Sequence, residues 1–379
     1  MEKIALCFII SYNHVLNKED LWREWIEYNK DIINIYFYYK DITKIKSPWI
    51  KKYCLPPICC KYTTSYYHIL PAYLSLMNYA STDKKQGGSN QWFCFLTDSC
   101  CPILSPYKFR TLFFKNKDKS IFRWKKAWWN PTYHKRANLA LLPEELRLAN
   151  DPWFVLCRED IQKIIGYIKN KTDLVNTISN GGLANESLFA IILYSYNKLS
   201  TAINKTSHIS DWSKMSSTTS PYLFKNGDLE EIKMLENLLN VGHSHSNYTM
   251  FIRKIDSGFP DSILKKYIYP LNEQIMLDKK KNKKKIIIFL FLSFSFILFF
   301  YSFFTFYHYF NFFFIFFLTF PSITTWNTLN KTSHRFIRRS CLSQHISTFI
   351  LFTFSTCKGI CRCFYIRITS HISFRFCFN

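Results

Sequence analysis

No acidic residue follows Asp278: all 26 Asp and Glu lie at or before it, whereas 14 of the 50 Lys and Arg come after. A chain so divided does not read as one uniformly charged domain. The first 278 residues carry 36 basic and 26 acidic groups. That moderate excess suits an anionic ligand without demanding nucleic acid. Cys-x-x-Cys pairs are absent from the eight cysteines of this front part, which argues against a zinc framework. Cys7 and Cys94 sit in apolar runs, where a thiol is a small buried hydrophobe. Reduced thiols in a cytosolic compartment are the expectation. Internal repeats are lacking too, and Ala and Gly are scarce beside Lys, Ile, Asn, Phe and Tyr. That composition resembles the coding bias of an AT-rich genome, which inflates the basic and aromatic counts.

The opening run Lys3–Ile10 is too short and lacks the small-residue cleavage site of an export signal, so it reads as a first buried strand. A polar turn at Ser11–His14 leads into a helix over Lys18–Asn29, with Leu21, Trp22, Trp25 and Ile26 at helical spacing. Further strands are expected at Ile32–Tyr39, Trp92–Leu96 and Trp153–Leu156, and helices at Thr64–Ala80, Glu159–Lys169 and Asn185–Leu199. Such alternation indicates an α/β domain with a mostly parallel central sheet flanked by helices, whose ligands bind at the carboxyl ends of the strands.

Between Phe109 and Asn150 the pattern loosens into a stretch where Trp124, Trp128 and Trp129 interleave with Lys125, Lys126, Lys135 and Arg136. It can stack on sugar or base faces, or be a solvated face of biased composition. The domains are then 1–278 for the folded part, 279–285 as a basic linker, 286–320 as a possible transmembrane segment, and 321–379 as a basic tail, disordered or non-native. The run 286–320 holds 16 Phe and no charge, more than the roughly 20 residues a membrane helix needs. An anchor there would leave the front part on the cytoplasmic side of the lysine block. A frameshifted or otherwise non-native tail is the competing reading of residues 286–379.

Four segments carry a resemblance. They are the Lys3–Asn13 strand and turn; Asn90–Ile103, with Leu96-Thr-Asp-Ser-Cys-Cys-Pro102; Leu146–Asp160, with Asp151-Pro-Trp-Phe-Val-Leu-Cys-Arg158; and the series Ala184-Asn-Glu-Ser187, Asp211-Trp-Ser-Lys214, Ser220-Pro-Tyr-Leu-Phe224 and Met250-Phe-Ile-Arg-Lys-Ile255. In this order and spacing they resemble the core-2/I-branching β-1,6-N-acetylglucosaminyltransferase family, with its plant and large-virus members. The resemblance implies a GT-A-like nucleotide-sugar fold and an inverting, metal-independent glycosyltransferase. It also implies a UDP-sugar donor, with N-acetylglucosamine as the family-weighted sugar, and a glycan or glycoprotein acceptor. No cofactor and no nucleic acid partner are expected.

By matching position, Glu186 is the candidate catalytic base, expected in the first turn of its helix where the dipole would keep it ionised. An ordinary amino-terminal helix acid is the bland alternative. The departing diphosphate needs a metal or fixed cations. Thr97-Asp98-Ser99 offers one acid where a metal-binding Asp-x-Asp would offer two, so cations should replace the metal; the resemblance implies Arg253 and Lys254, which match the family's Arg-Lys pair, and less directly Lys214. Because adjacent strand residues face opposite ways, one of Arg253 and Lys254 is expected to reach phosphate. Ser11 and His68 would border the nucleotide, and Trp153 and Trp212 would face an acceptor sugar unless they are core residues. Asn185-Glu-Ser187 is formally a glycosylation acceptor; a glycan there would crowd the base, in keeping with a cytoplasmic domain. A glycan-binding protein without turnover and a membrane-anchored basic nucleic-acid binder are the alternatives from other classes.

Overall fold

The computed structural model describes residues 2–86, 89–215, 220–245, 247–270 and 290–311, and the strands 351–356, 362–369 and 372–378. Two compact units divide the chain, Met1–Ser295 and Phe296–Asn379. The first opens with β1 (Glu2–Ile9), α1 (Glu19–Glu27), β2 (Ile33–Tyr38), the short α2 (Pro48–Lys52), α3 (Leu70–Thr82) and β3 (Ser89–Thr97). There follow β4 (Cys101–Pro102), α4 (Pro106–Asn116), β5 (Trp124–Lys126), α5 (Pro131–His134), β6 (Leu148–Asn150) and β7 (Val155–Cys157). The unit continues through α6 (Arg158–Asn170), α7 (Thr172–Ser179), α8 (Leu188–Ser195), β8 (His208–Ile209), α9 (Leu229–His245), β9 (Phe251–Ile252) and α10 (Asp261–Ile268).

The central sheet has the order β2-β1-β3-β7. β1 runs parallel to β2 and β3, and only the edge strand β7 is antiparallel. Both faces are covered, which is why these strands read as nearly unbroken apolar runs. The period of two sorts their side chains. Phe8 and Trp92 belong to one face, where Phe8 meets Trp22 of α1 and Trp92 meets Phe113 of α4. Phe95 belongs to the other, stacked on Tyr73 of α3 at 5.2 Å. The indole nitrogens of Trp22 and Trp25 donate to the carbonyls of Cys100 and Leu104, so their burial leaves no donor unpaired. The expected α/β class and mostly parallel sheet are those observed.

Two helices differ from the expectation. The one read as Thr64–Ala80 begins at Leu70, with Pro71 in its first turn, where a missing N–H costs nothing. The helix read as Asn185–Leu199 is two pieces, a 3₁₀ turn over Ala184–Glu186 and then α8. Leu183 at φ +58° and Ser187 at φ −143° interrupt the α conformation before α8, and Asn197 at φ +56° prevents its continuation.

A second small sheet, β4-β9-β8, brings Cys101, Phe251–Ile252 and His208 together beside the central one. The Lys279–Lys285 linker lies outside the described residues, as do 286–289 and 312–320. Within the apolar run, α11 (Leu290–Asn311) is 22 residues long and contains an 18-residue stretch of mean hydropathy 1.8. In the tail read as disordered or non-native, β10 (Leu351–Thr356), β11 (Arg362–Thr369) and β12 (Ile372–Phe378) pair antiparallel in that order.

Candidate active site

Glu186 ends the 3₁₀ turn before α8, and two loops of strained backbone hold it. Leu183 is left-handed, and so are Lys135, Ala137 and Asn138 in the facing loop. For residues bearing a Cβ such conformations cost about 1 kcal/mol or more each, a cost that concentrates at functional sites. The loops touch through backbone: the Ala137 N–H donates to the Gly182 carbonyl at 2.8 Å. Gly181 is required here, because a Cβ on it would stand 2.3 Å from the Asn138 nitrogen. From below, the Leu183 N–H donates to the Tyr67 carbonyl. From the side, buried Asn150 donates to the Asn185 carbonyl and accepts from the Ala190 N–H.

The outcome is a carboxyl with an 18% exposed side chain, 3.7 Å from the Arg136 guanidinium. Burial pushes the Glu186 carboxyl up to about 7; Arg136 and Arg253 pull it down, and the charge of Asp151 adds to the rise. The expected ionisation by a helix dipole is therefore corrected, since Glu186 precedes the α helix and desolvation outweighs every favourable charge. A base that titrates near neutrality suits proton abstraction better than a fully ionised one.

Arg253 and Lys254 lie just past β9, where strand alternation has ended, and they bear on the same groups. Arg253 stacks over the Trp153 ring at 5.3 Å. Its charge acts on Glu186, Asp98, Lys254 and His208. Lys254 donates to the Ser220 hydroxyl, and burial together with Arg253 lowers its pKa, while Asp98 opposes the fall. Asp98, at the carboxyl end of β3, is raised by burial against the pull of Ser99, Arg253 and Lys254. Both charges act on Asp98, while only Arg253 acts on Glu186.

Ser11, just past β1, is buried, and its hydroxyl has no hydrogen-bond partner among the described residues. His68 lies before α3 rather than in it, and it is exposed. Lys214 is turned to the surface in an ion pair with Glu230. Trp153 is 8% exposed and stacks on Tyr73, while Trp212 is 52% exposed. Both Trp residues line a cavity of about 520 Å³ together with Arg123, Asp151, His208 and Arg253. Lys125 and Arg136 cover the faces of Trp128 and Trp129 at 4.1 and 5.1 Å, so the Trp-rich basic loop is packed on itself and on the Glu186 turn. Among the described residues no group of three or more His, Cys, Asp or Glu is gathered for a metal.

The sequence pattern did not single out Arg136, Asn150, Asp151 or His208 for the site. Two signals stood nearby: Asn150 and Asp151 precede Trp153 in the third segment, and Gly181-Gly182 is a pair in a chain of only nine glycines.

Buried polar atoms without a partner among the described residues gather around this locus: Asn185 Oδ1, Ser187 Oγ, His208 Nε2 and Arg253 Nε. Such atoms are rare in folded proteins, and each calls for a partner such as a water, an ion or a ligand. No curated protein gives a significant match to the chain. A family model does: that of the Core-2/I-Branching enzyme, over residues 63–236. The matched stretch holds Glu186, Arg136, Asp151, Trp153, His208 and Trp212, while Ser11, Arg253 and Lys254 lie outside it. Residues 63–236 are therefore similar to the core-2/I-branching enzymes, a family of glycosyltransferases.

Proposed function

We propose that the chain is an inverting transferase that moves a sugar, N-acetylglucosamine in the first instance, from a UDP-sugar to a glycan hydroxyl. Glu186 takes the proton of the acceptor hydroxyl as its oxygen attacks the anomeric carbon. The bond from that carbon to the diphosphate breaks, and its electron pair leaves with UDP. Arg253 and Lys254 meet the charge that develops on the leaving group, in the place a metal ion would otherwise hold. Ser11 and Asp98, at the carboxyl ends of β1 and β3, border the nucleotide. Lys214, engaged with Glu230, has no part in this scheme.

The supporting observation is that one buried carboxyl, raised to about 7, feels Arg253, and that Arg253 and Lys254 together act on Asp98 at the strand ends. The charge of Arg253 thus links the proposed proton acceptor to the proposed phosphate cations. Glu186→Gln is expected to lower transfer by about 10²–10⁴ while UDP-sugar still protects the protein against heat. Transfer that survives this change would end the base assignment, and turnover abolished by a chelator would end the metal-free mechanism. For the membrane, we propose that α11 is the anchor and that the lysine block keeps the first unit cytoplasmic. Asn185 supports this compartment, since at 3% exposure it has no room for a glycan.

A further inference from the structure

Arg253 lines the cavity of about 520 Å³, whereas Ser11, Asp98 and Lys254, the other groups assigned to the nucleotide, do not. Its polar equipment is specific. His208, 7% exposed on β8, is fixed through Nδ1 to the Ser207 hydroxyl at 2.9 Å and packs on Phe251 at 4.9 Å. Its Nε2 has no partner among the described residues. Asp151 lines the same cavity within the field of Arg123, and its charge reaches Glu186. Trp153 and Trp212 supply flat apolar faces beside these two groups.

Resting on the proposed transfer reaction, we propose that His208 and Asp151 are the acceptor-reading residues, which bind the hydroxyls adjacent to the attacking one on a pyranose seated between Trp153 and Trp212. A neutral imidazole and a carboxylate suit that task because a sugar hydroxyl both donates and accepts. Burial and the charge of Arg253 hold the His208 imidazole neutral, so Nε2 is free to accept or donate a single bond. A site built to bond a hydroxyl rejects the analogue that lacks it, because its own polar group is then stranded.

The test uses the full chain with UDP-N-acetylglucosamine and a panel of methyl glycosides of galactose, N-acetylgalactosamine, glucose, N-acetylglucosamine and xylose. Each of His208→Gln and Asp151→Asn is expected to raise the acceptor KM about tenfold. The donor KM is expected to stay as in the wild type. Deoxygenating the acceptor next to the attacking hydroxyl should cost the wild type about tenfold and cost the matching variant nothing further. Equal losses in wild type and variants, or a rise in donor KM instead, would overturn the assignment. Trp fluorescence gives a second reading without turnover, since both cavity Trp residues report occupancy. A wild type whose fluorescence ignores every glycoside in the panel would overturn it as well. Failure of the transfer reading itself is distinguishable, because it appears as Glu186→Gln retaining full transfer.

Discussion

At the scale of single residues, the site depends on a balance at Glu186. Desolvation holds the proton on the carboxyl, while Arg136 and Arg253 favour its loss. The unprotonated form is the working base, so transfer at low substrate should rise as pH passes about 7. Arg136→Gln removes one of the two charges that lower this pKa. The acid limb of the pH profile is then expected to move to higher pH, with about tenfold loss at pH 7 and recovery in more alkaline buffer, and Arg136→Lys should restore part of it. A merely structural Arg136 would lower the rate equally at every pH. The same balance has a stability consequence. A carboxyl whose folded pKa lies above its ordinary value stabilises the fold at low pH, and this contribution is lost as pH rises through about 7. Glu186→Gln mimics the protonated form, so it should melt a few degrees higher than the wild type at pH 8 and about equally at pH 4. A lower melting temperature at pH 8 would show that the ionised carboxylate is a net stabiliser.

Elements explain how the balance is held. Two loops of left-handed residues meet at Gly181, and there is no space for a side chain between them. Gly181→Ala should push the Arg136 loop away from the Glu186 turn, lowering thermal stability by about 1–3 kcal/mol and weakening transfer. Gly166, within α6, has nothing within 4 Å of an added Cβ, so Gly166→Ala should instead stabilise by about 1 kcal/mol. Calorimetry on the pair separates the two cases, since a general intolerance of Ala would lower both. These loops also mark where sequence reading stops. The strands were legible because an apolar run with period two has one physical outcome, and β1 and β3 lie within a few residues of the runs that announced them. Ordered motifs pointed to Glu186 and the Arg253–Lys254 pair, and the structure sets Glu186 within the field of Arg253. Arg136 was not legible, because an Arg in a Trp-rich basic loop looks like a solvated face until a glycine 45 positions later lets it reach the carboxyl. The shortened α8 was missed for the same reason: nothing in the composition of Leu183 announces a left-handed backbone.

For the molecule as a whole, the described residues from Glu2 to Tyr269 contain every group assigned to chemistry, so attachment to a membrane need not alter catalysis. α11 at 22 residues is about 33 Å long at 1.5 Å per residue, enough to cross a hydrocarbon core of roughly 30 Å. Its exposed surface is almost entirely Phe, Leu, Ile and Tyr, a face that water disfavours and lipid accepts. The sequence places six Lys between positions 279 and 285 at its amino-terminal side, where they would meet anionic headgroups of the cytoplasmic leaflet. The full chain should therefore float with liposomes after an alkaline wash. Replacing Leu298 and Phe300 by Lys, near the helix centre, costs about 5–7 kcal/mol of insertion for the pair and should release the protein into solution. Release with unchanged transfer to a soluble glycoside would separate anchoring from catalysis. A full chain that never floats, or a double-Lys variant that floats as well as the wild type, would remove α11 as the anchor and leave the transferase reading of the first unit where Glu186 and Arg253 put it.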